Sequence, residues 1–332
     1  MVSWVNLGVD EVNLSGHQAV VHETHAIFLK KDLVALIGLV VNDFCLHAVN
    51  LFSVSGNQVY LADNLPLLRS LPDESVQLIY IDPPFNTGRE QERTTRTSKA
   101  SDSGSVGFAG KRYEQIVQSA LSYDDSFADY WEFLEPRLIE AKRLLTKTGT
   151  LYLHLDYREA HYAKVLLDGL FGRDNFLNEI IWAYDYGGKS KSRWPAKHDT
   201  ILVYVKDPKN YYFDSATVDR EPYMAPGLVT KEKAELGKLP TDVWWHTIVS
   251  PTGKEKTGYP TQKPEGILRR IIQASSKPGD RVLDFFAGSG TTGVVAGELG
   301  RLFTLIDQSP DSFETVTTRL RSRGLSFETP EK

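Results

Sequence analysis

Apolar positions along this 332-residue chain follow two rhythms. Short runs of β-prone residues at 57–61, 78–81, 150–155, 180–184, 200–205, 281–284 and 302–306 predict strands. Between them, apolar residues at helical spacing predict helices over 65–68, 127–145 (Trp131, Leu134, Leu138, Leu145), 159–170, 265–274 and 294–299. Strands that alternate with helices imply an α/β fold: an open, mostly parallel sheet with helices on both faces.

Three stretches break the rhythm. Residues 1–50 carry some apolar periodicity and no motif; they read as an extension, a partner-binding piece, or sequence upstream of a misplaced start codon. Within them Leu33 to Val41 is apolar but short, fenced by Lys30, Lys31, Asp32 and Asp43, and is neither a membrane span nor a signal peptide. Residues 89–125 are rich in Ser, Thr, Gly and charge, and read as a long mobile loop. Residues 185–259 hold Trp194, Trp244, Trp245, several Tyr and many Lys, with poor periodicity.

Composition narrows the picture a little. The single cysteine, Cys45, excludes a disulfide framework and suits a reducing cytoplasm. A formal charge of −5 lends no global support to nucleic-acid binding. Its distribution is more telling. Lys189, Lys191, Arg193 and Lys197 run together without an acid, with Tyr184, Tyr186 and Trp194 interleaved; Arg89, Arg93, Arg96, Lys99, Lys111 and Arg112 form a second basic stretch. Cations beside aromatic rings suit phosphate contact and base stacking, and each run reads equally as a solvated face. His154, His198 and His246 lack the spacing of metal ligands, so no metal site is expected.

Chemistry concentrates in two places. The strand at 78–81 stops in Asp82-Pro83-Pro84-Phe85. Two prolines fix φ and remove both N–H donors, leaving a carboxylate, the Pro83 carbonyl and a flat ring together at a strand's carboxyl end. Those groups suit a flat, amino-bearing base: the acid and the carbonyl accept the two amino N–H bonds, and Phe85 stacks. The plain alternative is a stiff turn with a capping Asp. Downstream, Asp284-Phe285-Phe286-Ala287-Gly288-Ser289-Gly290-Thr291-Thr292-Gly293 reads as strand, glycine loop, helix, with backbone free to approach a ligand. Asp307 ends the next strand, placed to accept ribose hydroxyls. Gly288, Gly290 and Gly293 also match a dinucleotide fingerprint, so an NAD oxidoreductase is a rival reading. It leaves Asp82-Pro83-Pro84-Phe85 without a task.

Together these motifs resemble those of the bacterial DNA amino-methyltransferases, in their beta group, where the catalytic motif precedes the cofactor loop. Asp82-Pro83-Pro84-Phe85 followed by Asn86-Thr87-Gly88 is similar to the catalytic motif of adenine-modifying members, including type III modification subunits. Asp284 to Thr292 is similar to the cofactor loop, and Pro260-Thr261-Gln262-Lys263-Pro264 to the segment that helps hold the methionine end. The resemblance covers about residues 51–321. It implies a Rossmann-like S-adenosylmethionine-dependent methyltransferase fold with permuted motif order and an inserted target-recognition region.

The implied organisation is 1–50, extension; 51–184, catalytic half; 185–259, target recognition, including the strand near 200–205; 260–322, cofactor half; and 323–332, tail. The implied activity is methyl transfer from S-adenosyl-L-methionine to N6 of adenine in duplex DNA, by base flipping and direct in-line attack. N4 of cytosine is the chemical alternative, and a non-catalytic DNA-binding subunit the alternative of another class. Catalytic residues are Asp82, Pro83, Pro84 and Phe85. Cofactor residues are Asp63, Thr261, Lys263, Asp284, Phe285, Phe286, Gly288, Ser289, Gly290, Thr291, Thr292 and Asp307. Asp63 reads equally as a helix cap. DNA-binding residues are Lys189, Lys191, Arg193, Lys197, Arg89 and Arg93, and the 89–125 loop is expected to close over DNA. Double-stranded DNA, a second copy of the chain and a cognate restriction subunit are the expected partners, in the cytoplasm.

Overall fold

The computed structural model describes residues 56–85, 91–106, 112–123, 130–185 and 189–330, with backbone alone for 91–106 and 112–123. Expectations for residues 1–50 lie outside it. The elements, in chain order, are β1 (Gln58–Leu61), α1 (Asn64–Ser70), β2 (Val76–Ile81), β3 (Gln91–Val106), β4 (Arg112–Tyr123), α2 (Tyr130–Leu144), β5 (Leu145–Leu155), α3 (Ala160–Phe171), β6 (Phe176–Ala183), β7 (His198–Val205), α4 (Lys231–Leu236), β8 (Val243–Trp245), α5 (Glu265–Ser275), β9 (Arg281–Asp284), α6 (Thr291–Glu298), β10 (Leu302–Asp307) and α7 (Pro310–Ser322).

Eight strands form one sheet in the order β1-β10-β9-β2-β5-β7-β6-β8. β7 alone runs against the others. β2 is buried along its whole length, and so reads as an unbroken apolar run rather than an alternation. Leu78 and Tyr80 face a layer containing Ile267, Leu268 and Ile271 of α5 and Val294 of α6. Ile79 and Ile81 are equally buried, and α2 contributes the fully buried Leu134, Leu138 and Leu144. Each such leucine withdrawn from water is worth about 1.5–3 kcal/mol.

The order of the strands places the site. From β9 the chain crosses through α6 to β10, towards one edge; from β2 it passes by way of α2 to β5, towards the other. β2 and β9 are hydrogen-bonded neighbours at this reversal. A crevice opens at the carboxyl ends of strands where the order reverses, and there the two motifs meet.

Three features depart from the pattern-based reading. Residues 91–106 and 112–123 are not irregular: β3 and β4 pair as an antiparallel ribbon, from Gln91 opposite Tyr123 to Val106 opposite Arg112. A ladder of backbone hydrogen bonds needs no apolar face, and β3, polar along nearly its whole length, carries no period-two signal. β8 lies inside the aperiodic 185–259 stretch yet extends the main sheet, pairing with β6; three residues are too few to show a period. α7 starts at Ser309-Pro310, with Ser309 accepting from the Ser312 N–H at 3.4 Å, a start signal legible in the sequence. No helix among the described residues is long and apolar enough to cross a membrane.

Candidate active site at the reversal of the sheet

Asp82, Pro83, Pro84 and Phe85 leave the end of β2 and line a cavity of about 310 Å³. The glycine loop between β9 and α6 forms the facing wall, through Asp284, Phe285, Phe286, Gly288, Ser289, Thr291 and Thr292, while Thr261, Lys263 and Asp307 complete it. The structure thus gathers both motifs and the intervening Thr261–Lys263 segment around one space.

The catalytic acid is asymmetric. Lys263 donates from Nζ to Oδ2 of Asp82. Oδ1 is buried and has no hydrogen-bond partner among the described residues. A buried acceptor left unpaired is costly, so it marks a position where a ligand donor fits. Lys263 also stands 5.2 Å from the centroid of the Phe85 ring. Thr261, two residues before Lys263, has a φ of +55°, a left-handed value uncommon for threonine.

The glycine loop is held from below and behind. Asp284 is almost wholly buried and accepts from the Phe286 N–H at 3.0 Å and the Thr292 hydroxyl at 2.6 Å. Burial pushes its carboxyl up to about 7, although those two hydrogen bonds pull the other way. Asp307 accepts from the Gly288 N–H at 2.8 Å and the Ser309 N–H at 2.9 Å, and burial raises it too. Each of its oxygens keeps further acceptor capacity for a ligand hydroxyl. Arg319 of α7 donates to the Ser289 carbonyl at 3.1 Å and to the Thr291 hydroxyl at 2.8 Å, and the Ser312 hydroxyl donates to the Gly288 carbonyl at 2.6 Å.

Two expected cofactor residues stand elsewhere. Gly290 does not line the cavity. Its φ is +73°, and a Cβ there would lie 2.9 Å from Val316 of α7, so its smallness serves the packing of that helix. Asp63 is absent from the lining too: it caps α1, accepting from the Leu65 N–H at 3.2 Å, and pairs with Arg137 at 3.1 Å. The adjacent Asn64 takes its place in the wall and donates to the Phe285 carbonyl at 2.6 Å.

Sequence reasoning missed Asn64, Phe133, Arg137 and Tyr259. Arg137 is 8% exposed, lies over the Phe133 ring at 4.0 Å and donates to Asn64 Oδ1 at 2.6 Å. Burial lowers its guanidinium against the pull of Asp63. An arginine inside the buried stripe of a helix was the available signal. Phe133 meets the Phe286 ring at 5.8 Å and supplies an apolar wall.

Of the expected DNA contacts, Lys189, Lys191 and Arg193 are exposed, and Lys197 donates to the Asp185 carbonyl at 3.3 Å. Trp194 among them is 95% exposed. Their loop joins β6 to β7 and springs from the carboxyl end of β6, the sheet edge that carries Asp82. Arg89 lies outside the described residues, as does the side chain of Arg93.

The model of a family described as DNA methylase matches residues 76–318, spanning β2 to α7 and every motif described above. This chain belongs to the DNA methylase family. Among curated relatives of this methylase, DNA adenine methyltransferase YhdJ of Escherichia coli (strain K12) is 32% identical over 277 residues, 81% of this chain and 84% of that protein. Type II methyltransferase M.HpaI of Haemophilus parainfluenzae is 31% identical over 266 residues, 79% of this chain and 73% of that one. Among solved structures, the PvuII DNA methyltransferase (cytosine-N4-specific) shares the fold with a TM-score of 0.56 at 17% identity, over 79% of this chain and 86% of that one. The M1.HpyAVI–SAM complex does so with a TM-score of 0.51 at 22% identity, over 79% and 98%. Methyl transfer to DNA is therefore the activity of this enzyme's family, and the NAD reading falls away.

Proposed function

We propose that this DNA methylase transfers a methyl group from S-adenosyl-L-methionine to the exocyclic N6 of adenine in duplex DNA. Asp82, which lines the same cavity as the glycine loop and whose buried Oδ1 has no partner among the described residues, carries the reading. YhdJ, at 32% identity, is named an adenine enzyme, which favours N6 over N4 of cytosine.

The cavity suits the cofactor. Phe133 and Phe286 offer apolar rings, Asp307 retains acceptor capacity for hydroxyls, and the buried Asp284 sits under the loop. Asn64, Asp284, Gly288, Ser289 and Asp307 would hold it. When bound, S-adenosylmethionine supplies an electrophilic methyl group.

The chain's own residues prepare the nucleophile. The lone pair of an aromatic amine is delocalised into its ring and attacks poorly. Asp82 Oδ1 accepts one amino N–H and the Pro83 carbonyl the other, which favours a pyramidal nitrogen with its lone pair free. As positive charge develops on that nitrogen, the carboxylate, itself only 17% exposed, stabilises it. Lys263 fixes Oδ2, so that Oδ1 is the oxygen presented. Phe85 stacks on the base, which must leave the duplex to reach the pocket. The exposed cations of 189–197 contact backbone phosphates at the same sheet edge. A second copy of the chain and a cognate restriction subunit remain proposed partners of the same reaction.

The test is incubation with labelled S-adenosylmethionine and unmethylated plasmid DNA, followed by mass spectrometry of the nucleosides. N6-methyladenine is expected. N4-methylcytosine would overturn the choice of base, and absence of any methylated nucleoside would overturn the activity.

A further inference from the structure

Beneath the base-holding motif runs a line of four polar side chains, three buried and the fourth half-buried, that the mechanism above does not use. Each comes from a different part of the sheet. Tyr80 lies in β2, two residues before Asp82. His154 is in β5, Asp199 in β7, and Tyr184 directly follows β6. The Tyr80 hydroxyl meets His154 Nδ1 at 2.8 Å, His154 Nε2 meets Asp199 Oδ2 at 3.2 Å, and the Tyr184 hydroxyl donates to Asp199 Oδ1 at 3.0 Å.

The chemistry orders the protons. An ionised Asp199 only accepts, so His154 Nε2 must carry hydrogen and Tyr184 must donate. In the neutral imidazole, Nδ1 then accepts from Tyr80. Burial works against the Asp199 charge, but the hydrogen bond from His154, the positive charge of Lys263 and the hydrogen bond from Tyr184 hold the carboxyl below its usual range. Burial pushes both tyrosines up, so their hydroxyls keep their protons.

The line touches a functional element on each side. His154 is 0% exposed; its ring lies 6.0 Å from that of Phe85, the stacking residue, and is braced edge-on by Trp182 at 5.5 Å. On the other side, the Tyr184 N–H donates to the Lys197 carbonyl at 3.0 Å, closing the root of the loop that carries Lys189, Lys191, Arg193 and Trp194. A core that needed only packing would place apolar residues here at lower desolvation cost.

We propose that Tyr184, Asp199, His154 and Tyr80 are positioning residues that tie the root of the basic 185–197 loop to Phe85 and Asp82, so that seating the loop on DNA sets the base-holding motif. The proposal rests on the function proposed above. Its chemical content is a fixed imidazole under Phe85, oriented by a carboxylate that the loop root itself helps to hold.

The test uses the full-length protein and Tyr184→Phe, which removes one hydroxyl and leaves the ring in place. On plasmid DNA, kcat is expected to fall about tenfold, since a hydrogen bond to a charged group is removed. KM for DNA and affinity for S-adenosylmethionine should stay near those of the unaltered enzyme, with the protein fully folded at the assay temperature and the melting temperature lowered by only a few degrees. His154→Gln, which can still donate to Asp199 but loses Tyr80, should show the same split. Asp199→Glu, which keeps the charge, should recover part of the rate lost in Asp199→Asn. An unchanged kcat in Tyr184→Phe overturns the proposal. So does a loss of kcat that merely tracks falling melting temperature and cofactor affinity across the set, because that marks a structural role. An unaltered enzyme that methylates no nucleoside instead overturns the proposed function.

Discussion

Lys263 and Asp82 form an ion pair across 181 residues of sequence, with the lysine ammonium on one carboxylate oxygen and the other oxygen buried without a partner among the described residues. Both side chains are largely shielded, at 10% and 17% exposure, so water screens the contact weakly. The pair joins the segment upstream of α5 to the end of β2. With its charge committed to Asp82, Lys263 should govern the rate more than cofactor binding. Lys263→Met is expected to lower kcat at least tenfold and to change affinity for S-adenosylmethionine by only a few fold. A large loss of affinity at unchanged kcat would place the lysine on the cofactor instead.

Asp82→Ala removes the acceptor for the amino group. We expect a loss of about 10²–10³ in kcat or more, as for other preorganised groups that face developing charge. Calorimetric affinity for S-adenosylmethionine should stay within a few fold, because Asp284 and Asp307 are untouched. Methylation at the full rate in this variant would sink the mechanism.

Gly290→Val should fail by destabilisation rather than by blocking a ligand. The left-handed φ costs a β-carbon about 1–2 kcal/mol, and the contact with Val316 adds overpacking of about 1–3 kcal/mol. Urea unfolding of the cofactor-free protein is expected to show a loss of about 2 kcal/mol or more. Wild-type stability combined with lost cofactor affinity would return Gly290 to the ligand wall.

Asp284 makes stability depend on pH. Its folded carboxyl titrates at about 7, well above its unfolded value. Between the ordinary carboxylate range and about pH 7, the folded state keeps a proton that the unfolded chain has lost. Stability from this group therefore falls as pH rises through that window and levels off above it. Urea midpoints measured from pH 5 to 8 should show the decline, and Asp284→Asn should flatten it. An identical decline in the variant would assign the effect to another group.

Lys189, Lys191 and Arg193 are exposed, so replacing all three with alanine should leave folding intact. Binding should weaken alike on cognate and scrambled duplexes, and the salt dependence should flatten by roughly one unit of slope for each phosphate no longer neutralised. Relaxed specificity at one position would point to base readout, and unchanged affinity and slope to a solvated face.

The chemistry was legible in the sequence because it is local. A strand that ends in Asp82-Pro83-Pro84-Phe85, and a strand that runs into Asp284 and a glycine loop, are read from neighbours along the chain, as are most strands and helices. Backbone sterics and side-chain periodicity act over a few residues and need no fold to express them. What the tertiary structure decided are the relationships across the sheet. The adjacency of β2 and β9 sets Asp82 beside the glycine loop, while the packing of segments distant in sequence brings Lys263 to Asp82, turns Asp63 to Arg137 so that Asn64 takes the wall, and sets Gly290 against Val316 rather than against a ligand. The order β2-β5-β7-β6 lines up Tyr80, His154, Asp199 and Tyr184, a relationship that no one of their segments shows. Such contacts depend on strand order and on the register of distant pairs, which loop closure and burial set together only when the whole core has formed.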